Sequence, residues 1–188
     1  PCAECVKFAG SGTEATFIAL RLARAVTGKA KVLKFEGGYH GTHDYAVWAI
    51  RHKEKLEYPV VARPDSRGVP EMLGQLVLVA PFNDLDTTAA ILQRHKDEIA
   101  AVIVEPLQRS IAPRPGFLQG LRCATREAGV LLIFDEVVTG FRLAWGGAQE
   151  RYGVVPDIAA LGKAIGGGYP VGAIVGREEL MAPFTVEA

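Results

Sequence analysis

Two residues of this chain, Lys163 and Asp135, have the types and surroundings that could do chemistry. Lys163 lies in Leu161-Gly162-Lys163-Ala164, among small apolar neighbours that would solvate its charge poorly. Poor solvation lowers the pKa of a lysine, so we expect its amine to act as a nucleophile. Asp135 ends the apolar run 130–134, and an acid at the carboxyl end of a buried strand faces the crevice where α/β proteins bind ligands.

A turn near the start of the chain could bind phosphate. The pattern Gly10-x-Gly12-x-x-Ala15 follows an apolar run and opens a helical one. Free amides at the start of a helix, together with the helix dipole, favour an anion at that place. Taken alone, Lys163 could be a solvated loop lysine and Asp135 a loop cap. With this turn they point to pyridoxal phosphate, which binds a lysine as a Schiff base while an acid keeps its ring nitrogen protonated.

The same turn also fits the dinucleotide-binding pattern G-x-G-x-x-G/A. Glu36 ends the next apolar run, about where an acid would bind the ribose of NAD. An NAD-dependent oxidoreductase is therefore an alternative, and the turn alone does not separate the two cofactors.

Apolar, strand-like runs alternate with amphipathic, helical ones along the chain. We predict strands at 5–9, 31–36, 75–80, 101–104, 130–135, 157–161 and 171–175, and helices from the Gly12 turn to about 25, from 84 or 86 to 96, and at 117–128. Residues 51–74 are polar and rich in proline, which predicts a long irregular connection. Nearly continuous apolar strands separated by helices predict an α/β fold, with a mainly parallel sheet covered on both faces.

Composition excludes several classes of partner. The 188 residues are 49% hydrophobic, and 21 basic residues balance 21 acidic ones, so nothing favours nucleic acid. We find no apolar stretch long enough to span a membrane. Three cysteines cannot build a disulfide framework and predict a reducing, cytoplasmic location. We expect Cys2 and Cys5 to be ordinary thiols and predict no metal site, because further ligands at suitable spacing are missing.

Four motifs in order along the chain resemble those of class-III pyridoxal-phosphate-dependent aminotransferases, with the glutamate-1-semialdehyde 2,1-aminomutase branch the nearest. They are Ser11-Gly12-Thr13-Glu14-Ala15, Phe35-Glu36-Gly37-Gly38-Tyr39-His40-Gly41, Phe134-Asp135-Glu136-Val137-Val138-Thr139-Gly140 and Leu161-Gly162-Lys163. The resemblance covers nearly the whole chain. It implies that residues 1–188 are the three-layer αβα large domain of a fold-type-I enzyme, a fragment without the N-terminal segment and the C-terminal small domain.

The resemblance also implies a role for each residue of the motifs. Lys163 would carry the cofactor as a Schiff base and Asp135 would pair with its ring nitrogen. Ser11, Gly12 and Thr13 would hold the phosphate, while Tyr39 and Val137 would pack on the two ring faces. His40 and Glu105 would support these groups from behind. By residue type alone, Tyr39 could instead be a core tyrosine, and His40 could be a loop histidine with its hydrogen bonds satisfied. The family further implies a homodimer, with the site at the subunit interface.

The activity implied is transfer of an amino group between an amino acid or amine and an oxo compound, both of them small molecules. The alternative within the family is the aminomutase reaction, in which the amino group moves within one molecule. Val138 stands where several ornithine-type relatives carry glutamine, which favours the aminomutase branch. The Gly-Ser-Gly segment expected of an aminomutase is absent around residues 48–51, which argues the other way.

Overall fold

Seven strands form one sheet in the computed structural model, which describes residues 1–49 and 62–184. The strands are β1 (Cys5–Ala9), β2 (Lys31–Phe35), β3 (Val77–Ala80), β4 (Ile99–Val104), β5 (Leu131–Glu136), β6 (Ile158–Leu161) and β7 (Gly172–Gly176). Their spatial order is β1-β7-β6-β5-β4-β2-β3. Strands β2 to β6 pair in parallel, and β7 runs antiparallel to both of its neighbours. The predicted α/β fold with a mainly parallel sheet is confirmed, and each predicted strand lies within two residues of an observed one.

The three longer helices begin and end within two residues of their predicted limits. The described residues contain the α-helices α1 (Gly12–Thr27), α2 (Leu85–His95), α3 (Phe117–Glu127), α4 (Gly147–Tyr152) and α5 (Glu178–Met181). The side chain of Ser11 caps α1 by accepting a hydrogen bond from the Glu14 amide, and Gly28 ends the helix in the left-handed conformation. Asp84 caps α2 through the Thr87 amide. The short helices α4 and α5 were not predicted, since each is too brief to show a periodic apolar stripe.

Helices cover both faces of the sheet, as a three-layer αβα fold requires. Helix α1 packs across β4 to β7 on one face, whereas α2 and α3 pack together on the other. Along β4, Val102 and Val104 belong to the core beneath α2 and α3, and Ile103 belongs to the core beneath α1. This alternation is the two-residue period of a strand buried on both sides.

The predicted connection 51–74 falls only partly within the described residues. Residues 50–61 lie outside the described part of the chain, and with them most of that prediction. Beyond them, Pro64 forms an isolated bridge with Trp48, and Glu71–Leu76 forms a 3-10 helix that delays the start of β3 to Val77. Among the residues described, no helix has both the length and the apolar character needed to cross a bilayer.

Candidate active site

Asp135 and Lys163 come together at the carboxyl ends of two neighbouring strands. Asp135 lies in β5 opposite Ala160 of β6, and Lys163 follows the end of β6 by two residues. Both line one cavity of about 230 Å³. All nine residues singled out in the sequence line this cavity: Ser11, Gly12, Thr13, Tyr39, His40, Glu105, Asp135, Val137 and Lys163. The tertiary structure thus collects groups from five separate stretches of the chain.

The turn before α1 leaves donors that face this cavity. The first amides of a helix have no partner inside it. The Ser11 hydroxyl accepts from the Glu14 amide at 3.1 Å, and the Ser11 carbonyl accepts from the Ala15 amide at 3.0 Å. The amides of Gly12 and Thr13 are therefore left without a partner inside the helix. With the Ser11 and Thr13 hydroxyls they form a donor set suited to a phosphate.

Gly172, the first residue of β7, supports that turn from behind. A Cβ atom at this position would lie 2.3 Å from the Ser11 carbonyl oxygen. We therefore expect Gly172→Ala to push Ser11 aside, to raise the dissociation constant for pyridoxal phosphate about tenfold or more, and to lower stability by about 1–3 kcal/mol. Cofactor titration and thermal unfolding of the full-length protein measure both effects.

Gly166→Ala is the matched control, because a Cβ atom there would meet nothing closer than 3.4 Å. It should leave the dissociation constant unchanged. Wild-type affinity in Gly172→Ala would show that the position of Ser11 does not matter for binding.

Val137 forms a wall of the cavity between two glycines. A Cβ atom on Gly12 would lie 2.9 Å from Val137 Cγ1, and one on Gly162 would lie 3.1 Å from the same atom. Glycine at both positions therefore lets the valine side chain lie against the phosphate turn and the lysine turn at once. Tyr39, which is partly exposed, also lines the cavity.

Asp135 is held in place by two hydrogen bonds. Its Oδ1 accepts from the Val137 amide at 3.2 Å, and its Oδ2 lies 2.8 Å from Nδ1 of His40. Because a carboxylate only accepts, the contact assigns a proton to Nδ1 of His40. His40 Nε2 is buried and has no hydrogen-bond partner among the described residues. The histidine thus fixes the direction in which the carboxylate points.

The expectation that the charge of Lys163 is poorly solvated is wrong. Within the described residues, its side chain is exposed to solvent. It opens the 3-10 turn Lys163–Gly166 with a φ of 43°, in the left-handed region that residues other than glycine rarely adopt. Such backbone conformations cost about 1–3 kcal/mol and cluster at functional sites. Small neighbours in the sequence did not bury Lys163, because they form an exposed 3-10 turn and not a packed layer.

The loop after β2 is held by hydrogen bonds at three successive residues, and two of the partners, Glu105 and Thr16, line the cavity. The Tyr39 amide donates to Glu105 Oε2 at 2.8 Å, and the His40 carbonyl accepts from the Thr16 hydroxyl at 2.6 Å. Just before them, the Gly38 carbonyl accepts from Lys34 Nζ at 3.0 Å. Burial raises the pKa of Glu105, whereas the nearby His40 and the Tyr39 amide oppose that rise. The Glu105 carboxyl group therefore lines the cavity and also holds the loop in position through the Tyr39 amide.

Three cavity residues were not predicted from the sequence as site residues: Thr16, Gly41 and Val138. Thr16 lies one helical turn after Thr13, and that spacing could have identified it. Gly41 has a φ of 98°, and a Cβ atom there would lie 2.6 Å from Thr13 Oγ1. Only glycine lets the loop approach the helix this closely. Val138 is the residue that, in the sequence analysis, favoured the aminomutase branch over ornithine-type relatives.

The donor set fits pyridoxal phosphate better than it fits a dinucleotide. It offers free amides and hydroxyls at one end, a carboxylate fixed by a buried histidine, and an amine at the mouth. A dinucleotide fold places β2 beside β1, whereas four strands separate them here. Glu36 is not among the described residues that line the cavity. The strand order therefore argues against the NAD alternative.

Comparison with known proteins agrees with this fold. A profile of the family described as Aminotransferase class-III matches residues 1–188, and the chain belongs to that family. It is 52% identical over 193 residues to a glutamate-1-semialdehyde 2,1-aminomutase of Methanocaldococcus jannaschii, an alignment that covers 98% of this chain and 43% of the relative.

Solved structures give the same result. An omega-transaminase from Sphaerobacter thermophilus superposes with a TM-score of 0.94 at 44% identity, covering 98% of this chain and 43% of that one. A transaminase with PLP bound superposes with a TM-score of 0.89 at 33% identity, covering 99% and 43%. The expected family and the fold-type-I architecture are confirmed. The chain spans less than half the length of these relatives.

Proposed function

We propose that this chain is the cofactor-binding large domain of an enzyme that uses pyridoxal phosphate to transfer an amino group between an amino acid or amine and an oxo compound. The observation that carries the proposal is the single cavity lined by Lys163, Asp135 and the Ser11–Thr13 turn. Membership of the class-III aminotransferase family supports it.

Each group of the cavity would have a defined task. The amides and hydroxyls of the Ser11–Thr13 turn would hold the phosphate, and Tyr39 and Val137 would enclose the ring. When bound, pyridoxal phosphate supplies a carbonyl that condenses with amines and a ring that accepts electrons. Asp135, oriented by His40, would hold a proton on the ring nitrogen. Lys163 Nζ would hold the cofactor through its carbonyl carbon and, when free, would take a proton from the substrate carbon and return it.

A second candidate is the aminomutase reaction on glutamate-1-semialdehyde. The relative from Methanocaldococcus jannaschii bears that name and is more similar in sequence than the omega-transaminase, at 52% against 44% identity. The missing Gly-Ser-Gly segment around residues 48–51 opposes it; Ile50 and Arg51 lie outside the described residues. The two reactions would use the same Lys163 and Asp135.

Spectra and a substrate screen of the full-length protein test the proposal. We expect an absorbance band when pyridoxal phosphate is added, its loss on adding an amino donor, and its return with an oxo acceptor. Consumption of glutamate-1-semialdehyde without any separate donor would select the aminomutase. A band that no amine alters would indicate a protein that only senses the cofactor. Spectral change with NAD and none with pyridoxal phosphate would overturn the proposal.

We further propose a homodimer with the site at the subunit interface, on the strength of the family alone, and a cytoplasmic location, which the three free cysteines favour. Sedimentation of the full-length protein with and without cofactor tests the first of these.

A further inference from the structure

Lys34 is a buried cation that the proposed function does not use. It lies in β2, and only 1% of its surface is exposed to solvent. Its Nζ donates hydrogen bonds to the carbonyls of Gly38, Ala46 and Trp48. A lysine ammonium has three donors, so these three carbonyls use all of them. Burial lowers the pKa of Lys34 to about 8, which still leaves it mainly protonated at neutral pH.

Lys34 and Glu105 hold the two ends of one peptide group. The Gly38 carbonyl that accepts from Lys34 and the Tyr39 amide that donates to Glu105 belong to the same planar unit. A cation therefore faces its oxygen and a carboxylate faces its N–H. Hydrogen bonds to ionised groups are shorter and stronger than neutral ones. The pair fixes the plane of this peptide, and with it the direction in which the Tyr39 side chain leaves the backbone.

The Lys34 ammonium also binds the carbonyls of Ala46 and Trp48, on either side of a residue that lines a second cavity. Ala46 and Trp48 flank Val47, which lines a cavity of about 530 Å³ together with Tyr39, Glu105 and Val138. Those last three residues also line the smaller cavity that contains Lys163. Lys34 thus connects both sides of the loop 37–49 where the two cavities meet.

We propose that Lys34 is a positioning residue: its ammonium and the Glu105 carboxylate clamp the Gly38–Tyr39 peptide so that Tyr39 meets the cofactor ring. The role of the ring rests on the proposed function, whereas the clamp on the loop does not. Replacing Lys34 by an apolar side chain leaves three buried carbonyls without their donor, which lowers stability whether or not the clamp exists. The clamp is therefore read from local order and not from folding.

The test compares Lys34→Met with Lys31→Met in the full-length protein. Lys31 is on the same strand, and its partner is Glu98 near the surface. Hydrogen exchange across residues 37–49 is measured without cofactor, and the visible circular dichroism of added pyridoxal phosphate is measured separately. We expect Lys34→Met to speed exchange in 37–49 about tenfold or more, to leave β4 and β5 unchanged, and to lower the dichroism at least twofold. Lys31→Met should change neither.

Glu105→Gln keeps an acceptor for the Tyr39 amide but removes the charge, so it should speed exchange in 37–49 by a smaller factor. This variant decides the matter if Lys34→Met does not fold. Wild-type exchange in both variants, or a uniform rise that includes β4, would overturn the clamp. A wild-type protein without any cofactor signal would refute the proposed function, and exchange across 37–49 would still decide whether Lys34 positions the loop.

Discussion

Lys163→Ala is expected to lower turnover of the full-length protein by about 10⁴-fold or more, because under the proposed function one amine would both hold the cofactor through its carbonyl carbon and move the substrate proton. The variant should also lose the absorbance band of the lysine-bound cofactor. It should fold as the wild type does, since the residue is exposed and its side chain forms no hydrogen bond or ion pair with residues 1–49 or 62–184. Alanine has a Cβ atom as lysine does, so the energetic cost of a φ of 43° at this position should not change.

Lys96→Ala is the matched control for that experiment. Lys96 is an exposed lysine at the end of α2, and it is not among the described residues that line the cavity. Its replacement should leave both the spectrum and the turnover unchanged. Near-normal turnover in Lys163→Ala would refute the assignment of this lysine and the mechanism built on it.

Asp135→Asn is expected to keep the cofactor but to lower turnover by about 10²-fold or more. The amide oxygen can still accept from the Val137 amide, so the loop geometry should persist. What it loses is the negative charge that would keep the ring nitrogen protonated. His40 Nδ1 would then face an amide or a carbonyl and no longer an ion. Titration with pyridoxal phosphate and steady-state kinetics separate binding from rate.

The exposed carboxylate of Asp86, in the first turn of α2, is the control for the loss of one charge. Asp86→Asn should leave the kinetics unchanged. If Asp135→Asn matched it, the carboxylate would have no part in the reaction, and its contact with His40 would serve packing alone.

The sequence predicted much of the secondary structure, because its signals are local. Ser11 and Asp84 cap helices through amides three residues away, and Gly28 ends a helix by its own conformation. Apolar runs longer than a turn identified each strand to within two residues. The short helices α4 and α5 and the 3-10 turn at Lys163 were missed, since four to six residues carry too little periodicity.

The list of candidate residues came from motif resemblance, and their convergence came from the fold. Nothing in the sequence around Lys34 distinguishes it from a surface lysine. It is nevertheless buried, and its ammonium donates hydrogen bonds to three carbonyls. Those carbonyls lie up to 14 residues away and belong to a loop with no regular pattern. The exposure of Lys163 was predicted wrongly for a related reason: adjacent small residues do not determine what packs over a turn.

The sequence by itself determined the alternation of strands and longer helices, the ends of α1 to α3, and the types of group available for catalysis, because each depends on residues within a turn or two of one another. The tertiary structure alone decided that β1 pairs with β7 and lies four strands from β2, and that Asp135 and Lys163 share a cavity with the Ser11 turn. Strand order is set by hydrogen bonds and side-chain packing between distant segments, and no local pattern encodes those pairings.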